Sequence, residues 1–138
     1  SNERATAAGG TVQYFENGVI SWHPSAGAIP VLGGVRTRWA QLGEIGGLGH
    51  ATTEERALRD AGVVQSFERG AVYWTPRTGP HAVSGAFLAW YAGLRWENGP
   101  LGYPVNGEIV GNGSTTQRFE RGTLTFDHRT GAVRVTLS

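Results

Sequence analysis

No cysteine occurs among the 138 residues, so disulfides are excluded and the redox compartment cannot be read from thiols. No apolar run approaches the roughly 18 residues of a membrane-spanning helix, and no stretch reads as a signal peptide. An excess of one charge is lacking too. Twelve basic and 11 acidic residues leave a net charge of +1, and they are interspersed, without the basic stripe that follows a phosphate backbone, so nucleic acid is not an expected partner. The histidines, at 23, 50, 81 and 128, stand singly and without ligand spacing; no metal and no cofactor is expected. A Gly-x-Ser-x-Gly elbow is absent, as is a cysteine nucleophile, which closes the usual routes to covalent catalysis.

Glycine, by contrast, is abundant. Its 22 positions are about twice the usual share of roughly 7 %, which favours short elements joined by turns over long helices. A chain of this size buries about two thirds of its unfolded surface, and five Trp, five Phe and four Tyr supply the packing that disulfides cannot.

One stretch is written three times. Gln13-Tyr14-Phe15-Glu16-Asn17-Gly18-Val19-Ile20-Ser21-Trp22 returns as 65–74 and as 117–126, each time 52 residues on, a repeat architecture. Each copy reads as strand, turn and strand, with Asn17-Gly18, Arg69-Gly70 or Arg121-Gly122 in the turn. That register sets Phe15 against Ile20 and Gln13 against Trp22, Phe67 against Val72 and Gln65 against Trp74, Phe119 against Leu124 and Gln117 against Phe126. This constant apolar face is expected to be core. The variable face, with Tyr14, Ser66, Tyr73 and Arg118, is expected to be exposed. The repeated Gln is expected to bond neighbouring backbone. Glu16, Glu68 and Glu120, identical in all three copies, fit a structural role at the turn better than an acid/base pair, which needs two unlike environments.

Shifted by one period, Glu3-Arg4-Ala5 falls on Glu55-Arg56-Ala57, so the N-terminus reads as the trailing piece of a repeat, either a half-unit cap or a longer chain divided at a repeat boundary. Third extended runs are expected at 28–31, 82–83 and 132–135, giving three-stranded meanders. Gly33–Gly43, with Val35, Trp39 and Leu42, and Gly85–Gly93, with Phe87, Trp90 and Tyr91, read as short amphipathic helices whose Trp residues are core. The capping-box spacing of Thr52 and Glu55, with Ala57, Leu58 and Ala61 behind it, suggests one or two helical turns; Gly107–Gly113 should be loop. Gly46-x-x-Gly49 lacks the Lys-Ser/Thr ending of a phosphate loop.

The expected fold is therefore α+β: tandem ~52-residue repeats of β-hairpin or meander plus short helix and Gly-rich loop, about two and a half pseudo-symmetric units (approximately 1–52, 53–104 and 105–138) in a single repeat domain. Ring closure and open stacking both fit.

A Trp, a Gly-rich spacer, Leu101-Gly102-Tyr103-Pro104, an acidic residue, and then Gln-x-Phe-x-x-Gly-x-aliphatic-x-Trp together resemble the LGFP repeat, known from actinobacterial cell-envelope proteins. The first copy, Leu48-Gly49-His50-Ala51, departs from Tyr-Pro, and the acidic position falls on Glu108 and on Glu54. The resemblance implies an exported or cell-wall location and attachment to cell-wall polysaccharide, arabinogalactan or peptidoglycan, alongside a fused or associated envelope enzyme. A glycan site needs an exposed aromatic flanked by carboxylate, amide or guanidinium groups. Trp96, beside Arg95, leads that list, followed by Tyr103, Tyr73 and Tyr14, with Glu108, Glu54 and Arg38 as polar partners. Tandem sites also suit a repeating ligand. A non-catalytic glycan-binding module is the favoured reading. A protein-docking scaffold is the alternative, and a small hydrolase using Glu54 or Glu108 comes third.

Overall fold

The structure is a computed structural model that describes residues 2–5, 10–16 and 18–138. It forms two compact units, Ser1–Pro80 and His81–Ser138. The first holds the antiparallel sheet β1 (Asn2–Ala5), β2 (Thr11–Phe15), β3 (Gly18–His23) and β4 (Gly27–Leu32), then α1 (Gly33–Gln41), then β5 (Arg56–Ala57), β6 (Val63–Phe67) and β7 (Gly70–Thr75). β8 (Gly79–Val83) leads into the second unit. There α2 (Gly85–Gly93) precedes β9 (Ile109–Val110), β10 (Ser114–Phe119), β11 (Gly122–Asp127) and β12 (Val133–Leu137), which pair in sequence order. Among the described residues, three small sheets and two α-helices make a sheet-rich mixed fold with tandem repetition.

The repetition extends to individual residue pairs. Arg4 pairs with Val12 and Ala5 with Thr11, as Arg56 pairs with Val64 and Ala57 with Val63, so the N-terminal segment occupies the place its shifted sequence assigns it. These extra strands make the expected meanders four-stranded. Ile109–Val110, expected to be loop, pairs with Thr116 and Thr115. No helix forms over 52–58. Arg56-Ala57 is strand and Arg59–Ala61 a tight turn with Asp60 and Ala61 at positive φ, because pairing to β6 satisfies the backbone that a helix would otherwise have used.

The two long helices lie where expected. Each follows its strand directly through a glycine with positive φ, Gly33 (57°) or Gly85 (58°), a left-handed step that a side chain would resist. Val35 and Trp39 in α1, Phe87 and Tyr91 in α2, are buried at i, i+4 spacing. Leu42 and Trp90, expected on the buried faces, are exposed. The period explains Trp90: Trp39 plus one repeat is Tyr91, so Trp90 takes the outward position of Arg38.

The hairpin register differs from the expected one by two residues. Phe67 pairs with Gly70 and Gln65 with Val72; Phe119 pairs with Gly122, Gln117 with Leu124; Phe15 pairs with Gly18, Gln13 with Ile20. The turns are therefore Glu68-Arg69 and Glu120-Arg121, while Asn17 of the first lies outside the described residues. The glycine serves close approach, not a positive φ. A Cβ on Gly122 would stand 2.6 Å from Thr136 O and 2.7 Å from a Leu101 methyl, and one on Gly18 2.9 Å from Val31 O.

A two-residue shift preserves which residues share a face, yet burial does not follow the expected division. In the second hairpin Gln65, Phe67, Val72, Ala71 and Tyr73 are all buried, so both faces are core; in the third, Gln117, Phe119 and Leu124 are buried as expected. In the first the faces exchange roles: Val12, Val19 and Ser21 are buried, whereas Phe15 and Trp22 are 45 % and 41 % exposed. What covers the constant face is a helix and loop from earlier in the sequence. Trp39 stacks on Phe67 at 6.2 Å, and Tyr91 lies 4.9 Å from Phe119. The repeated Gln behaves as expected: Gln65 Nε2 donates to Pro30 O and Thr53 O, Gln117 Nε2 to Ala82 O and Asn106 O.

Candidate functional site

The Leu-Gly loop and the hairpin turn, which the sequence separates, close on one another. Glu120 Oε1 accepts the Tyr103 N–H at 2.9 Å, Glu120 N donates to Tyr103 O, and Arg121 N donates to Leu101 O. The first copy repeats every step, with Glu68 Oε1 accepting from His50 N at 2.9 Å, Glu68 N donating to His50 O and Arg69 N to Leu48 O. Gly49 and Gly102 both have positive φ, and a Cβ on either would meet the glutamate carboxylate within 2.7 Å. Trp39 Nε1 donates to Gly49 O at 2.9 Å, and Tyr91 Oη to Gly102 O at 2.6 Å. Leu48-Gly49-His50-Ala51 thus has the conformation of Leu101–Pro104 despite lacking Tyr-Pro.

The same turn anchors the loop upstream. Arg121 reaches Pro100 O through Nε (3.2 Å) and Gly99 O through Nη2 (2.9 Å); Arg69 reaches Gly47 O and Ile45 O. Held this way, Arg95 and Trp96 both adopt left-handed conformations, φ 68° and 52°. Two successive non-glycine residues there cost about 1–3 kcal/mol each, and a bulky side chain at positive φ is an outlier. The strain leaves the indole only partly covered: Trp96 is 46 % exposed. In the first copy Gly43 and Glu44 occupy the corresponding left-handed positions, and Glu44 Oε1 accepts a 2.6 Å hydrogen bond from Tyr14 Oη.

Arg95 and Trp96 are therefore together and outward, with Asn98 exposed beside them and donating to the buried Glu97. The short turn Trp96–Asn98 packs against α2, whose Trp90 is 45 % exposed and lines a shallow groove of about 280 Å³ with Ala89, Gly93 and Leu94. Sequence reasoning missed Trp90 as a surface aromatic, although the 52-residue offset from Arg38 carried the signal.

The other candidates scatter. Tyr103 and Tyr73 are core residues, and neither ring offers a face to solvent. Tyr14 is half-buried and its hydroxyl engaged; Arg38 Nε donates to Pro80 O. Glu54 is exposed on a loop. Glu108 lines a separate open cleft of about 380 Å³ with Ser84, Phe87, Phe126, Thr115 and His128, the last two joined by a 2.7 Å hydrogen bond.

Two serine–histidine pairs occur among the described residues: an exposed one within a turn, His23 Nδ1 and Ser25 Oγ at 2.8 Å, and a second between loop and strand. Ser21 Oγ and His50 Nδ1 share a 2.7 Å hydrogen bond, but both residues are buried, so the pair fastens the loop to β3 and is closed to substrate. Burial holds the His50 imidazole below the usual histidine range, opposed by the Glu68 carboxylate and aided by the neighbouring His23 ring. Among the described residues no cluster of three or more His, Cys, Asp or Glu could hold a metal, and no helix is long and apolar enough to cross a membrane.

No curated protein matches the chain in sequence. Among solved structures, the extracellular domain of a protein described as a one component system from B. thetaiotaomicron aligns with 97 % of this chain at 12 % identity and a TM-score of 0.27. This chain spans 15 % of that structure's length, and so low a score carries no structural argument. The family comparison is decisive: the LGFP repeat model matches residues 1–47, 48–99 and 101–137, and the chain belongs to the LGFP repeat family.

Proposed function

We propose that the chain is a non-catalytic module that binds cell-wall polysaccharide, arabinogalactan or peptidoglycan, as part of an exported actinobacterial protein. The observation that carries this reading is the exposed indole of Trp96 on a strained, externally anchored loop, with Arg95 beside it and Trp90 on the adjoining helix. An aromatic held outward in this way offers a flat apolar face to a pyranose or furanose ring at little cost in side-chain entropy, and a neighbouring guanidinium can bond the hydroxyls at the ring's rim. The groove beside Trp90 is open, which suits a length of polymer better than a small molecule. Titrating soluble arabinogalactan and peptidoglycan fragments while following Trp fluorescence tests the proposal: saturable quenching by one class, lost in Trp96→Ala with the fold intact, is the expected result. Equal response in Trp96→Ala would remove the site.

A further inference from the structure

Two of the three hairpins carry a covered constant face, and the coverings share one design. Over Gln65, Phe67 and Val72 lies the segment 33–51, with the Trp39 ring on Phe67, Ala51 bridged to Phe67, and Leu48 buried. Over Gln117, Phe119 and Leu124 lies 85–104, with the Tyr91 ring on Phe119, Pro104 bridged to Phe119, and a Leu101 methyl at Gly122. In each, the helix aromatic is tied by a hydrogen bond to the carbonyl of the loop glycine, and the hairpin glutamate accepts the next N–H of that loop.

The first hairpin has the receiving half of this arrangement. Phe15, Ile20, Pro30 and Leu32 line an apolar recess of about 460 Å³, together with Glu16, Gly18 and Val19. Phe15 and Leu32 are each 45 % exposed. Glu16, the counterpart of the two loop-binding glutamates, is exposed as well. The recess therefore offers an apolar wall for an aromatic ring, at Phe15, and a carboxylate acceptor, at Glu16, at the positions used in the other two hairpins; Leu32 lies over Gly18.

We propose that this face is a docking site for the helix–loop segment of another LGFP repeat: a helix of about two turns bearing an outward Trp or Tyr, followed by a Leu-Gly loop. The occupant is not a second copy of this chain, because its segments 33–51 and 85–104 already cover their own hairpins and it has none to spare. Continuity with these two interfaces carries the assignment.

The test fuses a copy of residues 33–52 ahead of residue 1 of the full chain, the junction that the 52-residue period dictates, since Glu3 corresponds to Glu55. The fused chain is expected to melt at least about 4 °C higher, the shift that burying one large apolar side chain gives in a domain of this size, and to bind less hydrophobic dye. Phe15→Asp, and separately Trp39→Ala made in the added copy alone, should each abolish the gain, the fused Phe15→Asp chain being compared with the unfused chain carrying the same substitution. No gain on fusion, or a gain that survives Phe15→Asp, would overturn the proposal. So would a concentration-dependent dimer of the unfused chain that Phe15→Asp dissolves, since that would assign the face to a second copy.

Discussion

Glu120 accepts the backbone N–H of Tyr103 through Oε1 at 2.9 Å, which fastens the most recognisable loop of the repeat to a hairpin turn 17 residues away. The same bond between Glu68 and His50 shows that the glutamate, rather than the Tyr-Pro of the loop, fixes the conformation. Removing the acceptor as Glu120→Ala leaves a buried amide unpaired and is expected to cost about 1–3 kcal/mol. Glu120→Gln, which keeps an acceptor oxygen, should cost less than half as much. Chemical denaturation of both variants decides it; equal losses would mean that the carboxylate acts through something other than this bond.

Gly102→Ala is expected to be worse. Its φ of +74° disfavours any side chain, and the new Cβ would stand 2.7 Å from Glu120 Oε1, so backbone strain and a broken clamp combine to roughly 2–4 kcal/mol. A melting point within a degree of the parent chain would contradict the clamp.

Gln117 is a third point of dependence. Its amide nitrogen satisfies two carbonyls, Ala82 O and Asn106 O, while its own oxygen has no partner among the described residues. Gln117→Leu abandons both carbonyls and should destabilise by about 2–4 kcal/mol. Gln117→Glu should be less stable still at neutral pH, because it sets a carboxylate against them. If Gln117→Glu proved the more stable of the two, the nitrogen would not be the working atom.

These dependences were only partly legible in the sequence. The period gave the repeat, the helices and the role of the Gln, because those follow from spacing within one strand or helix. The turn position was misplaced because Arg-Gly and Asn-Gly carry a strong local hairpin preference, which lost to a tertiary requirement: the glutamate must occupy the turn to reach the loop, and the glycine must sit under a neighbouring strand. Core and surface faces could not be assigned to Phe15 or Tyr73 from alternation alone, since alternation does not say which sides of a sheet receive a covering segment. Of the candidate site, the pairing of Arg95 with Trp96 was visible as neighbours in a Gly/Pro loop, but Trp90 was assigned to the core because helical spacing was read without the repeat offset.

His50 supplies a pH dependence with a definite sign. Burial sets its folded pKa below the usual histidine value of about 6.5, so the unfolded chain binds the proton more readily. The stability it confers is fully present above about pH 6.5 and is lost as pH falls through the window between 6.5 and the folded value. Unfolding free energies measured between pH 5 and 8 should show this fall, and His50→Asn, which can still reach Ser21, should flatten it. An unchanged slope in His50→Asn would assign the dependence to other groups.

The most direct test of the binding account is sedimentation of the purified chain with insoluble mycobacterial or corynebacterial cell wall, intact and stripped of arabinogalactan, alongside Trp96→Ala and Trp90→Ala variants confirmed as folded. The account expects the parent chain to pellet with at least one wall preparation, and Trp96→Ala to remain in the supernatant with Trp90→Ala intermediate. A parent chain that stays soluble with both walls, or a Trp96→Ala variant that pellets as fully as the parent, would contradict it.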